Sequence, residues 1–122
     1  MTTVLHIPAR LDAPIACDMS TAQDTPAERL AEYGRLFERA LTGRERNDDG
    51  VVLRFNSDAR AEVEDLVRRE AACCPFVDYR VDVTHDAVVW TTTNQRTGDD
   101  RNDVDTILEA LFELPDHANA QP

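Results

Sequence analysis

Two adjacent cysteines, Cys73 and Cys74, follow the carboxylate of Glu70 in the run EAACCPF at residues 70–76. Spacings of three and four residues place both sulfurs within one turn of Glu70 if the run is helical. Thiolates are soft ligands that suit Cu(I), Zn(II) and, by extension, Hg(II), and a neighbouring carboxylate can complete the shell or relay a proton. The run therefore indicates thiol or soft-metal chemistry.

A third sulfur, Cys17, belongs to no motif. If the N-terminal arm crosses the sheet near the end of that helix, Cys17, Cys73, Cys74 and Glu70 together form a set of metal ligands. The set lacks the paired C-x-x-C spacing of a structural zinc site. An odd number of cysteines in a cytoplasmic chain argues against a disulfide framework, and a bond between neighbours would close a strained ring.

The competing interpretation is that the cysteines are packing residues. Free cysteine is among the most buried residue types and behaves as a small hydrophobe. The C-terminal end of a helix disfavours a thiolate, and no Lys or His adjoins the pair in the sequence. On this view Cys73 and Cys74 fill the junction after the helix, and Glu70 either caps a local backbone donor or pairs with Arg69 or Arg80.

Composition describes a single domain of 122 residues with an ordinary share of hydrophobic side chains, 42%. The formal net charge of −11 argues against binding to nucleic acid or to an anionic membrane surface. Neither a secretory leader nor a membrane-spanning run is apparent, and we expect a cytoplasmic protein. The histidines, which lie at His6, His85 and His117, are expected to be solvated.

Patterns of hydrophobic residues predict an α+β fold. One helix begins after Thr25, where Glu28 completes a capping box, and it ends near Gly43. A strand at 51–55 leads to a second helix, from about Ala59 to Cys73, which Pro75 ends. Its apolar stripe, continued from Val63, predicts that Glu70 faces the core.

The C-terminal half is predicted to form a β-hairpin followed by a helix. Alternation predicts strands at 77–83 and 87–93 with a turn at His85 and Asp86. The last helix is expected to start near Asn102 and to end at Pro115, which leaves 115–122 as a frayed tail. Residues 1–24 are expected to form an irregular arm, in which 15–19 form either a short strand or an extended segment. The simplest arrangement is two layers, with three helices on a small, mostly antiparallel sheet.

The run 70–76, followed by Tyr79 and by the helix that carries Leu108, Leu111 and Phe112, resembles a group of small bacterial proteins with an E-x-x-C-C-P-F core. The resemblance covers about residues 50 to 114 and implies no particular activity. A looser analogy, of chemistry only, is with organomercurial lyases, which use two cysteines and an acidic residue on mercury.

Three functions follow as expectations. The first is a cytoplasmic domain that binds a thiophilic metal ion or a small electrophile, with Cys17, Cys73 and Cys74 as ligands and Glu70 as ligand or proton relay. The second is a cysteine-dependent enzyme for metal–carbon or thiol-transfer chemistry, with Glu70, Cys73 and Cys74 as catalytic residues. The third is an interaction protein, such as a homodimer, in which the cysteines are structural.

Overall fold

A computed structural model describes residues 1–118, which form three helices and a five-stranded sheet. In chain order the elements are β1 (Thr2–Ile7), α1 (Pro26–Ala40), β2 (Leu41–Arg46), β3 (Gly50–Asn56), α2 (Arg60–Cys73), β4 (Asp78–Val83), β5 (Ala87–Thr93) and α3 (Gly98–Ala118). The strands lie in the order β1-β4-β5-β3-β2, and every pair is antiparallel. The predicted α+β architecture is confirmed.

One face of the sheet carries the core and the other faces solvent. Trp90 of β5 lies opposite Leu53 of β3 and Val81 of β4, so these three side chains share a face. All three are at most 1% exposed. The helices pack on this face, where Leu36, Leu66 and Leu108 contribute one buried side chain each from α1, α2 and α3.

The predicted start of α1 is confirmed in detail. The Thr25 hydroxyl accepts from the Glu28 amide at 3.1 Å, and the Glu28 carboxylate accepts from the Thr25 amide at 2.9 Å. Pro26 occupies the first turn, where no backbone donor is needed. The helix ends earlier than predicted, at Ala40, because β2 follows it without a loop.

The two edge strands were not predicted. The strand at the N-terminus lies at Thr2–Ile7, and residues 15–19 form none. β2 (Leu41–Arg46) follows α1 directly and includes Gly43, the residue at which the helix was expected to end. Its sequence, LTGRER, is polar because an edge strand is largely solvated, and charged residues there oppose pairing with other chains.

α3 is longer than predicted at both ends. It begins at Gly98, whose φ of 63° is a conformation that glycine adopts without strain. It continues through Pro115 to Ala118, so the prediction that Pro115 ends the helix is wrong. A proline so near a helix end removes the partner of one carbonyl only, that of Leu111. Residues 119–122 of the expected tail lie outside the described residues.

Residues 8–25 connect β1 to α1 as an arm without helix or strand. None of the described helices combines the length and the hydrophobicity that crossing a bilayer requires. The predicted hairpin is confirmed, with β4 and β5 close to their expected bounds. The sequence EAACCPF thus lies where α2 leaves the core and turns into β4.

Candidate functional site

The last turn of α2 presents the three residues that the motif singled out. The helix ends at Cys73, and the Cys74 amide donates to the Glu70 carbonyl at 2.7 Å. Pro75 then prevents a further helical turn. Cys73 is 5% exposed and Cys74 is 6% exposed, so both sulfurs belong to the buried interior.

Cys17 and Cys74 form a disulfide bond across a sequence separation of 57, with their Cα atoms 4.5 Å apart. The expectation that this chain contains no disulfide is therefore wrong. The odd cysteine is Cys73, which stays a free thiol. The conditional prediction that the arm brings Cys17 to the end of α2 is confirmed for Cys74.

The arm reaches this position through hydrogen bonds on both sides of Cys17. The Arg10 amide donates to the Pro75 carbonyl at 2.8 Å, and the Asp18 amide donates to the Cys73 carbonyl at 2.9 Å. The guanidinium of Arg96, which is buried, donates to the carbonyls of Arg10 and Ala13 at 3.1 and 2.7 Å. Hydrogen bonds therefore hold the arm on both sides of Cys17, in addition to the S–S bond.

Glu70 faces the core side of α2, as predicted, and its side chain is 20% exposed. Its partner is Arg29 of α1, at 3.1 Å, and neither Arg69 nor Arg80 as expected. The second carboxylate oxygen lies 4.0 Å from Cys74 Sγ. Glu70 thus connects a buried cation to one sulfur of the disulfide.

Arg29 is the centre of a buried ionic network. Its guanidinium donates to both oxygens of Asp24, at 2.8 and 2.7 Å, and to Cys73 Sγ at 3.4 Å, besides Glu70. The hydrogen bond from Arg29 lowers the pKa of Asp24 to about 2, and the Asp24 carboxylate in turn raises the pKa of Arg29. Arg29 therefore stays charged although it is only 4% exposed.

Two tyrosines pack around Glu70 with different hydrogen bonding. The Tyr79 hydroxyl donates to the Cys74 carbonyl at 2.8 Å. The buried Tyr33 hydroxyl has no partner among the described residues. Burial, and then the negative charge of Glu70, raise the pKa of both tyrosines. Both phenols therefore remain protonated at neutral pH.

The two neighbouring cysteines line different cavities. Cys17, Cys74 and Glu70 border a small cavity of about 60 Å³, whose other walls include Trp90 and Leu108. Cys73 borders a cavity of about 520 Å³ on the other side, together with Arg29. The two sulfurs therefore border different cavities, and the contacts of Arg29 with Cys73 and Glu70 link their surroundings.

No group of three or more His, Cys, Asp or Glu side chains within residues 1–118 is arranged to hold a metal ion. The predicted ligands divide accordingly. Cys17, Cys74 and Glu70 come together, whereas Cys73 contacts Arg29 instead. Among the histidines, His6 lies in β1 and contacts Asp78 at 3.1 Å.

Sequence reasoning missed Arg29 and Asp24, which complete the site. A signal for Arg29 was present, since it precedes Tyr33 by four residues and so extends the apolar stripe of α1 backward. A charged residue on such a stripe needs a buried partner. The position of Asp24 in the sequence gives no signal of its pairing with Arg29, because that pairing depends on how the arm folds.

No protein-family model, curated protein or solved structure matches this chain.

Proposed function

We propose that this chain, in its reduced form, binds a thiophilic metal ion or a small electrophile through Cys17 and Cys74. The observation that carries the proposal is the approach of Cys17 to Cys74 beside the Glu70 carboxylate, 57 residues apart in sequence. The disulfide is the oxidised form of this dithiol. The reducing cytoplasm, the compartment that we infer, would keep the pair open.

Two sulfurs suit some metals better than others. Structural zinc sites use four ligands, and no such cluster exists within residues 1–118. Cu(I) and Hg(II) are soft ions that accept two thiolates. We therefore favour these two ions over Zn(II) as the metal bound.

Glu70 has a role in this proposal as proton acceptor. Metal binding requires thiolates, so each thiol must lose its proton. The Glu70 oxygen lies 4.0 Å from Cys74 Sγ, within reach of a sulfur hydrogen bond after reduction. Arg29, at 3.1 Å, holds the carboxylate in that position.

The enzyme alternative receives less support. A cysteine that attacks a substrate needs an open pocket, whereas Cys74, the sulfur beside Glu70, is 6% exposed. The cavity beside Cys74 is only about 60 Å³, too small for a substrate of ordinary size. A binding role, in which a single ion enters, requires less room.

Metal titration of cysteine variants tests the proposal. Reduced protein, kept without oxygen, is titrated with Hg(II) or Cu(I) against an excess of a competing ligand that contains no thiol, and free thiols are counted at each point. We expect one ion per chain and the loss of two thiols in the wild type and in Cys73→Ser. We expect no competitor-resistant binding in Cys17→Ser or Cys74→Ser.

Cys73→Ser is the matched control, because it removes a sulfur from the same helix end and leaves the proposed pair intact. Circular dichroism of every variant establishes that it is folded under the titration conditions. Equal metal retention by Cys17→Ser and the wild type, or loss of binding in Cys73→Ser alone, would refute the proposed pair.

A further inference from the structure

The cavity that reaches Cys73 lies between the arm and two helices. It measures about 520 Å³ and is lined by arm residues 21–24, by Arg29 of α1 and by Arg69, Ala72 and Cys73 of α2. This volume is in the range of small-molecule sites. Cys73 is the free thiol of the chain when the disulfide is intact.

The charged side chains that border this cavity differ in balance from those of the whole chain. The chain carries a net charge of −11, yet the cavity is bordered by two arginines and one carboxylate, Asp24. The other carboxylates on these arginines are Glu70 on Arg29, and Glu32 and Asp65 on Arg69, and none of the three lines the cavity.

Asp24 holds the two arginines as a bound carboxylate would. It accepts two hydrogen bonds from Arg29, at 2.8 and 2.7 Å, and one from Arg69 at 3.2 Å. Two guanidinium groups converging on one carboxylate form a strong, charge-assisted arrangement. Asp24 belongs to the arm and immediately precedes Thr25, the N-cap of α1.

We propose that Cys73 reacts in this cavity with a small, carboxylate-bearing disulfide, whose carboxylate replaces Asp24 on Arg29 and Arg69. The Cys73 sulfur forms a bond to one sulfur of the ligand as the ligand's own S–S bond breaks. The other half leaves as a thiolate, which takes up the proton that Cys73 releases. Cys73 is thereby oxidised to a mixed disulfide, and the departing half is reduced to a thiol.

This site is separate from the proposed metal site. It uses the third sulfur and a different cavity, and it is tested with the Cys17–Cys74 disulfide intact. Its failure would leave the dithiol proposal unaffected, and failure of the dithiol proposal would leave this one unaffected.

Alkylation with two reagents of equal size tests the preference for anions. Oxidised, native protein is treated with iodoacetate, which is anionic, or with iodoacetamide, which is neutral, and mass spectrometry follows the single adduct on Cys73. Sulfur displaces iodide in both reactions, and the thiol proton passes to water. The ratio of the two rates, relative to that of the urea-unfolded oxidised chain, reports the charge around Cys73.

We expect the native ratio to exceed the unfolded ratio. Arg69→Gln should lower it about five-fold, since a unit charge a few ångströms away contributes on that order. Asp24→Asn should raise it. Arg68→Gln is the matched control, because Arg68 is exposed, pairs with Glu64 and does not border the cavity.

Several results would overturn the proposal. One is an absence of alkylation until the chain unfolds. Another is a native ratio no higher than the unfolded one, and a third is an equal effect of Arg69→Gln and Arg68→Gln. If Arg69→Gln does not fold, Asp24→Asn decides alone, and an unchanged or lower ratio in that variant counts against the site.

Discussion

Tyr33 and Tyr79, which pack around Glu70, differ in the hydrogen bonding of their hydroxyl groups. Both are buried, but the Tyr79 hydroxyl donates to the Cys74 carbonyl, whereas the Tyr33 hydroxyl has no partner among residues 1–118. A buried hydroxyl without a partner loses its hydrogen bonds to water on folding and forms no hydrogen bond in the protein that offsets this loss.

Removal of each hydroxyl should therefore have different effects. Tyr33→Phe should leave the free energy of unfolding unchanged or raise it slightly. Tyr79→Phe leaves the Cys74 carbonyl without its side-chain partner and should lower the free energy of unfolding by about 1 kcal/mol. Urea unfolding measures both, and a larger loss for Tyr33→Phe would show that its hydroxyl has a partner in solution.

Protonation of Asp24 should lower the free energy of unfolding at acid pH. Its pKa is about 2 in the folded chain against an ordinary 3.8, so its ionised form is favoured by folding. This contribution is fully present above about pH 4 and is lost as the pH falls through the folded pKa of about 2.

The measurement compares melting temperatures of wild type and Asp24→Asn from pH 7 to pH 2. The wild type should be the more stable at neutral pH, and the difference should shrink below about pH 4. Asp58→Asn, at a carboxylate outside the network, serves as control. A difference that stays constant over the whole range would contradict the pairing with Arg29.

The close approach of strands β3 and β5 depends on Gly50. A Cβ at Gly50 would lie 2.0 Å from the Thr92 carbonyl oxygen, a backbone atom that cannot move without disturbing β5. At Gly43, in edge strand β2, a Cβ would meet nothing within 4 Å.

Gly50→Ala should therefore destabilise the chain by about 3 kcal/mol, in the range of overpacked interiors. Gly43→Ala should change the free energy of unfolding by no more than about 0.5 kcal/mol, as surface substitutions do. Chemical denaturation of the two variants checks the pair. Similar losses at both positions would contradict the described register of β3 on β5.

The disulfide should stabilise the fold by restricting the unfolded chain. Closure of a loop with a sequence separation of 57 is worth about 4 kcal/mol in the entropic model. Denaturant unfolding with and without reductant should show this loss in the wild type. Cys17→Ser should already lack it and should be insensitive to reductant, and equal sensitivity of both proteins would exclude the bond.

Several elements could be predicted because their signals are local. The capping box of Thr25 and Glu28, the helix stop at Pro75 and the alternation of the hairpin each depend on a few neighbouring residues. Edge strands β1 and β2 lack that signal, since solvated strands tolerate charged residues. The site was only half predictable, because Arg29 and Asp24 reach Cys73 through the path of the arm and not through spacing.

The whole molecule combines a rigid sheet with an arm held by a few contacts. Helices α1 and α2 present Arg29, Glu70 and Cys73 from the core, and the arm adds Cys17 and Asp24. Both proposals, the dithiol and the carboxylate site at Cys73, therefore need the arm in place. Besides the disulfide, the backbone hydrogen bonds of Arg10 and Asp18 connect the arm to Pro75 and Cys73.

The most direct test of the central claim compares metal retention by the oxidised and reduced wild-type chain. Each form is given one equivalent of Hg(II), dialysed against an excess of iodide, a competing ligand that contains no thiol and leaves the disulfide intact, and analysed for bound metal. We predict one retained ion per chain in the reduced form and none in the oxidised form, where Cys17 and Cys74 are bonded to each other. Equal retention by the two forms would contradict the claim that this pair binds the metal.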